Sequence, residues 1–396
     1  MANDLPPLKI VFVIKSMSIA GGGAERVLAT VSSGLADRGQ DVTIISGDPL
    51  DNASFYPLAP TVKRVALCAG TGKDHSRLWE ALRRVRMLRR RILDLEPDVV
   101  VAFMHSSYVP VGIALAGAGI PVVASEHIGP EHYRTRLLQK ALVMLTPFTA
   151  QKITVVSEQV RQQYWRWLRR RMIVAPNPLV APPPSEERLR PREKTVLSVG
   201  TLRAQKNHSC LIAAFALVAS DFPDWTLRIV GEGELRKSLE GQIRELGLER
   251  RVELPGAIGD IWDEYRRASL FVSPSTYESF GLATAEALLT GVPAIAFEDC
   301  HGTNILIRNN INGVLVDGSG DRIEALSMAL RKLMAAPDEI ERLSDVDDPQ
   351  LDAYGLSAVL DTWEGILWDA AWGRSFNSMD HVRMPSSAPP TESERK

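Results

Sequence analysis

The chain has 396 residues, too many for one ordinary hydrophobic core and about right for two α/β domains. Hydrophobic residues at 45% and charged residues at 24% give the profile of a soluble globular protein. The three cysteines, Cys68, Cys210 and Cys300, cannot complete a disulfide set and lack metal-ligand spacing, which excludes a disulfide scaffold and points to a reducing cytosol. The net charge of −2 hides an asymmetry. Residues 1–190 hold 25 Lys and Arg against 16 Asp and Glu, whereas residues 191–396 hold 21 against 32. A basic half and an acidic half suggest two domains facing different partners. Anionic lipid head groups or a phosphorylated lipid suit the basic half.

The apolar run Ile10–Ile14 is too short for a signal-peptide core and reads as a buried strand ending at Lys15. A loop with Gly21, Gly22 and Gly23 follows, then a helix from about Ala24 to Arg38 and a strand over Val42–Ser46. This is a βαβ opening. Further strands are expected at Val99–Phe103, Val122–Ser125 and Ile153–Val156, with helical segments between them. Continuous apolar strands imply a parallel sheet covered on both faces. The uncharged stretch Val99–Ser125 is the nearest to a membrane span. His105–Tyr108, Pro110 and Pro121 interrupt it, so strand–helix–strand is the better reading.

Ala175-Pro-Asn-Pro178 breaks the alternation, and residues 175–193 read as a linker. A second βα series starts at Thr195-Val-Leu-Ser-Val-Gly200. Its strands fall near Leu227–Val230, Val252–Leu254, Leu270–Val272 and Ala294–Phe297. Its helices fall near His208–Ser220, Leu235–Leu246, Leu282–Leu289 and Arg322–Met334. The expected organisation is a first domain over 1–174, the linker, a second domain over 194–354, a helix within 355–374 crossing back to the first domain, and a disordered tail over 375–396. Two Rossmann-like, doubly wound α/β domains then face a cleft, where ligands bind at the carboxyl ends of the strands.

A nucleotide sugar needs cations for its diphosphate, acceptors for its hydroxyls, and stabilisation of the departing phosphate. The second domain supplies all three. Arg203 and Lys206, in Gly200-Thr-Leu-Arg-Ala-Gln-Lys-Asn207, follow a strand and precede a helix, the position of a phosphate-binding turn. Two surface cations at a helix start are the plainer reading. Phe280-Gly281-Leu282 presents free backbone N–H groups at a helix N-terminus, a ready phosphate site. Glu278 in the loop can accept from sugar hydroxyls, and Glu286, eight residues on, from ribose hydroxyls. By spacing alone, a capping acid and an exposed helical glutamate explain this pair better.

Glu278-x7-Glu286 after a strand, Gly-Thr-Leu-Arg-Ala-Gln-Lys-Asn upstream, and Gly-Gly-Gly-Ala-Glu-Arg near the N-terminus together resemble the retaining GT-B glycosyltransferases of family four, a large group of bacterial sugar transferases. The resemblance spans about residues 8–370. It implies a donor cleft in the second domain and an acceptor site in the first. Arg203 and Lys206 would hold the diphosphate, with the segment Ser279–Leu282 beside them. Glu286 would hold the ribose and Glu278 the donor sugar. Gly22 and Gly23 would approach the donor phosphate or acceptor across the cleft. His127, after the strand Val122–Ser125, would lie near the transferred sugar, and His105 occupies a similar strand end. The donor is expected to be a UDP-sugar, or else a GDP-sugar. The acceptor is expected to be a glycan or a polyprenyl-diphosphate-linked saccharide in cell-surface polysaccharide biosynthesis. Attack would come from the front face, with the leaving phosphate taking the acceptor proton.

No metal or other cofactor is expected: Asp345-Val-Asp347 matches an Asp-x-Asp pattern but lies in an acidic stretch that reads as a solvated turn. One departure concerns Gly302-Thr-Asn-Ile-Leu-Ile307, where Ile305 stands in place of the glutamate usual in the resembled family. Two other functions fit the same fold, a nucleotide-sugar epimerase or hydrolase and a non-catalytic sugar-nucleotide-binding subunit of a membrane assembly complex. The intact Arg203, Lys206, Glu278 and Glu286 argue against the second. Nucleic acid is a poor partner for an acidic second domain without a recognition motif.

The basic half carries two interfacial candidates. Arg77–Leu95 reads as an amphipathic helix with Leu78, Leu82, Val85, Leu88, Ile92 and Leu95 on one face and Arg83, Arg86 and Arg90 on another. Tyr164-Trp165-Arg166-Trp167-Leu168-Arg169-Arg170-Arg171 mixes aromatics with arginines. A solvated arginine-rich surface explains both as well. The membrane reading puts the chain on the cytoplasmic face of the cell membrane, bound peripherally.

Overall fold

A computed structural model describes residues 7–19, 22–67, 78–133, 136–183, 191–345 and 348–373. Gly21, Cys68, Arg77, Asp347 and the tail 375–396 lie outside the described residues. The first sheet contains β1 (Lys9–Ile14), β2 (Asp41–Ser46), β3 (Lys63–Ala66), β4 (Val99–Phe103), β5 (Val122–Glu126), β6 (Lys152–Val155) and β7 (Met172–Val174). All pairings are parallel, in the order β3-β2-β1-β4-β5-β6-β7. Among its crossovers lie α1 (Gly23–Asp37), α2 (Leu78–Asp94), α3 (His105–Ala114), α4 (Leu137–Leu145), α5 (Glu158–Gln163) and α6 (Arg166–Arg169).

The second sheet contains β8 (Glu193–Val199), β9 (Thr226–Val230), β10 (Val252–Gly256), β11 (Ala268–Ser273), β12 (Ala294–Phe297) and β13 (Gly313–Val316). It is also parallel, in the order β10-β9-β8-β11-β12-β13. Its helices are α7 (His208–Ala219), α8 (Arg236–Glu245), α9 (Trp262–Arg267), α10 (Leu282–Leu289), α11 (Arg322–Met334), α12 (Pro337–Ser344), α13 (Pro349–Asp352) and the last helix, α14 (Leu356–Trp372).

The apolar runs seen in the sequence become strands buried on both faces. Every residue of β4 is buried, and β1 is buried after Lys9. That is what helices on both faces of a parallel sheet require. Strand order reverses between β1 and β4 in the first sheet and between β8 and β11 in the second. At each reversal two loops leave the carboxyl ends in opposite directions and open a crevice. The four loops that follow β1, β4, β8 and β11 are therefore where this topology places a site.

The last helix returns to the first domain. Val359, Leu360, Trp363, Ile366, Leu367 and Trp368 of α14 are buried in one core with residues of β1, β4 and α1. Burying each such side chain stabilises by about 1.5–3 kcal/mol. Polar ties flank that core: Arg38 bonds Asp361 at 2.6 Å and Glu364 at 2.8 Å, and Lys152 bonds Asp369 at 2.5 Å. Where the chain enters and leaves the second domain, the Leu179 N–H donates to the Tyr354 carbonyl at 2.7 Å.

Candidate active site

The two loops at the second sheet's reversal are laced together. The Thr276 N–H donates to the Gln205 carbonyl at 2.9 Å, and the Gln205 side chain donates back to the Tyr277 carbonyl at 2.8 Å. This brings Lys206, after β8, against Glu278, after β11, as an ion pair. The Ser275 hydroxyl donates to the same Glu278 oxygen at 2.9 Å. Both members of the pair are mostly screened from solvent, while Arg203 stays exposed at the loop's edge.

The helix α10 begins beside this pair. Its cap, Gly281, has φ +85, a conformation costly for any residue with a Cβ. Backing the loop is Gly302, at φ +88, where a Cβ would lie 2.6 Å from the Glu278 carbonyl oxygen and 2.8 Å from the Phe280 nitrogen. Phe280 is buried edge-on against Tyr354, their ring centres 5.0 Å apart, and Ser279 is half-buried. The first-turn amides of α10 thus start from a fixed loop, a geometry that favours an anion.

Glu286 sits one turn and more into α10 and is almost wholly buried. One carboxylate oxygen accepts from the Tyr265 hydroxyl at 2.9 Å. The other is ion-paired with Arg26 of α1, in the opposite domain. Burial raises the pKa of Glu286, and Arg26 and Tyr265 oppose that rise.

The same side of the cleft brings up Gly22 and Gly23. Gly22 caps α1, and Gly23 lies so close to Leu282 that its Cβ would be 3.9 Å from the leucine methyl. Asp48 shapes the preceding loop by accepting from the Met17 N–H at 2.5 Å, the Ser16 hydroxyl at 2.7 Å and the Ser18 hydroxyl at 3.0 Å. Burial works against its ionised form, but those bonds outweigh it and hold the pKa of Asp48 below the usual value. Glu25 is pushed up chiefly by burial and further by Asp48, while Arg203 across the cleft pulls it down. Tyr56, beside Arg26, Glu25 and Glu286, is pushed by burial to about 12.

At the first sheet's strand ends, His105 follows β4 at the reversal and His127 follows the neighbouring β5. His127 stacks on Phe103, ring centres 4.6 Å apart, and its Nε2 lies 2.9 Å from the Ser125 hydroxyl. Burial lowers its pKa to about 4, with the Asn177 side chain acting the other way, so the ring is neutral at neutral pH. Beside it, Glu126 is buried, with its carboxylate accepting from Tyr108 at 2.7 Å, Tyr133 at 2.8 Å and the Ile128 N–H at 2.9 Å. Burial raises the pKa of Glu126 despite these bonds. His105 Nδ1 lies 3.1 Å from the Tyr133 hydroxyl. His105 follows Met104, whose φ of +70 is strained for a residue with a side chain.

Two family models match the chain in succession. Residues 21–180 match the model described as Glycosyltransferase Family 4, and residues 184–346 the model described as Glycosyl transferases group 1. The chain belongs to these glycosyltransferases. A relative from Haemophilus influenzae, an uncharacterized glycosyltransferase, is 27% identical over 91% of this chain and 99% of its own. A relative from Campylobacter jejuni is 24% identical over 90% of this chain and 97% of its own. It is described as a GalNAc-alpha-(1->4)-GalNAc-alpha-(1->3)-diNAcBac-PP-undecaprenol alpha-1,4-N-acetyl-D-galactosaminyltransferase. Among solved structures, Anabaena HepE in complex with UDP and glucose superposes with a TM-score of 0.74 at 21% identity, covering 91% of this chain and 99% of that one. That likeness carries the fold, which is GT-B.

The glycosyltransferase thus draws Lys206, Glu278, Ser279, Phe280, Gly281, Leu282, Glu286, Gly22 and Gly23 to one seam between its domains, with Arg203 at its edge. His127 follows β5 on the first sheet, half-buried, stacked on Phe103 and within hydrogen-bond distance of Ser125. Arg26, Tyr265, Tyr56, Asp48 and Glu126 also belong to this region and were not singled out from sequence. Their signal was faint. Arg26 lies three residues after Gly23, and Glu126 lies between Ser125 and His127. Ile305 is half-buried against the core, and its carbonyl accepts from Gln350 at 2.8 Å. Asp345 ends α12.

On the transferase surface, Arg83, Arg86 and Arg90 of α2 are exposed, as is Leu82 near the start of its apolar stripe. Leu88 and Ile92 are buried in the first domain's core. Trp165 is half-buried and Trp167 exposed. Among the described residues no helix is long and apolar enough to cross a membrane.

Proposed function

We propose that this glycosyltransferase moves a sugar from a UDP-sugar to a saccharide carried on a polyprenyl diphosphate, with retention at the anomeric carbon, in the assembly of a cell-surface glycan. The observation that carries this reading is the convergence of Lys206, Glu278, Glu286 and the first turn of α10 on one interdomain seam. In it, Lys206 and Arg203 hold the diphosphate together with the amides of Phe280–Leu282. Glu286 accepts from the ribose hydroxyls, and Glu278 accepts from the donor sugar. Gly22 and Gly23 approach the phosphates or the incoming hydroxyl from the first domain, with Gly23 opposite Leu282.

The chemistry needs no carboxylate nucleophile. The acceptor oxygen forms the new bond to the anomeric carbon as the bond to the β-phosphate oxygen breaks, and that oxygen takes the acceptor proton. The enzyme's part is orientation and stabilisation of charge on the departing phosphate. Arg203, Lys206 and the α10 amides supply that charge without a metal. His127, neutral at working pH, borders the sugar as a hydrogen-bonding group. UDP as the nucleotide is supported by the HepE complex of like fold, with GDP as the other choice. A polyprenyl-linked acceptor, and with it peripheral residence on the cytoplasmic membrane face, is supported by the name of the Campylobacter relative.

The test is transfer from a panel of UDP- and GDP-sugars to undecaprenyl-diphosphate-linked acceptors, with the product's anomeric configuration read by NMR. An axial-donor sugar joined through an axial bond is expected. An inverted product, or donor turnover that never needs an acceptor, would overturn the reading.

A further inference from the structure

The helix α4 is turned inside out. Val143 is the buried residue of its nine, while Leu137 is 74% exposed, Leu138 76% and Leu145 55%. Phe148, one turn beyond, is 81% exposed. Leu137, Ala141, Leu145 and Phe148 are spaced by four, four and three residues, so they form one outward stripe, with Leu138 beside it. A surface helix ordinarily buries its apolar stripe, and a contiguous exposed one marks an interaction face.

The neighbours of this stripe are cationic. Lys140 lies over the ring of Trp165 at 5.2 Å, and Arg171 donates to the Pro147 carbonyl at 3.0 Å. These contacts seat Trp165–Arg171, with exposed Trp167, against α4 and the Phe148 turn. From His132 to Ser185 the chain carries nine Lys and Arg and a single acid, Glu158. That acid is itself paired with Arg161 at 2.8 Å. An apolar stripe bordered by aromatics and by one sign of charge matches an anionic lipid surface, where the apolar groups enter the acyl boundary and the cations stay on the head groups. A protein partner would have to present an acidic, apolar groove of the same extent.

We propose that α4 and Phe148 insert shallowly into an anionic bilayer, with Lys140 and the Arg166–Arg171 cluster on the head groups. This moves the apolar part of membrane binding from α2, whose Leu88 and Ile92 are buried and whose Arg89 is bonded to the Ala116 carbonyl at 3.2 Å, to α4. The purpose of such docking rests on the lipid-linked acceptor proposed above. α4 begins four residues after Tyr133, whose hydroxyl holds Glu126 at the cleft, so an acceptor in the membrane would meet the site from this side.

The experiment is flotation of the full chain with vesicles of phosphatidylcholine alone and of phosphatidylcholine mixed with phosphatidylglycerol, with UDP affinity measured by calorimetry on the same samples. The wild type is expected to float with the mixed vesicles at low salt and to be released by high salt. Leu137→Gln combined with Phe148→Gln is expected to lower partitioning by about tenfold or more, with melting and UDP binding unchanged. Leu82→Gln on α2 is expected to bind like the wild type. Docking is overturned if the wild type ignores the mixed vesicles, if the α4 variant floats equally well, or if that variant instead dissolves a dimer that never floats. UDP binding without flotation would sink the docking alone, and flotation without binding of any nucleotide sugar would sink the donor reading alone.

Discussion

Arg26 of the first domain closes an ion pair on Glu286 of the second, on the carboxylate whose other oxygen Tyr265 already occupies. The proposed ribose acceptor is therefore held by both domains. Deleting the cation would leave a nearly buried charge with one neutral donor, because Arg26 is the largest influence holding the pKa of Glu286 down. Arg26→Met should cost about 2 kcal/mol of stability in urea unfolding. Combining it with Glu286→Gln should restore much of that loss, since both charges are then gone. Strictly additive values in the four-variant cycle would show that the pair is not coupled.

Lys206 and Glu278 form the second pair, and here the expectation concerns turnover. If Lys206 neutralises the departing phosphate, Lys206→Met should lower kcat/KM by about 100-fold or more in a variant that still folds. Arg203→Ala should behave alike, because Arg203 is exposed and holds no core together. Wild-type turnover in either folded variant would remove these residues from the diphosphate.

Much of this site was legible because it sits on loops that follow apolar strands. The runs at Val122–Ser125 and Leu270–Val272 mark where a parallel sheet ends, and so where His127 and Glu278 had to lie. What stayed hidden was whatever depends on tertiary partners. The edge strands β3, β7 and β13 are three or four residues long, and β3 begins Lys63-Arg64, so neither length nor pattern marks them. Arg26 gains its partner 260 positions away, through the meeting of two domains. The outward leucines of α4 have the composition of a core helix, and exposure alone tells them apart.

Gly302 offers a test of loop shape without touching a charge. At φ +88, with the Glu278 carbonyl and the Phe280 nitrogen inside van der Waals distance of any Cβ, an alanine must displace the segment that starts α10. Gly302→Ala should destabilise by about 1–3 kcal/mol. It should also weaken UDP binding, because Glu278 and the α10 amides move together. Full UDP affinity in the variant would mean that the loop does not set the anion site.

His127 makes a prediction about acid. Its folded pKa of about 4 lies below its unfolded 6.5, so the unfolded chain binds the proton first as pH falls. The stability this neutral ring contributes is complete above 6.5 and is lost as pH falls towards 4, by up to about 1.4 kcal/mol per pH unit. His127→Gln keeps a polar group for the Ser125 hydroxyl but cannot titrate. Urea unfolding of the two chains across that window should show a shallower acid slope for the variant, by up to one proton. His208, buried and lowered to about 3, remains in both chains and supplies a common background. Parallel slopes would mean that His127 is protonated alike in the folded and unfolded states, and that it meets water in the cleft rather than packing under Phe103.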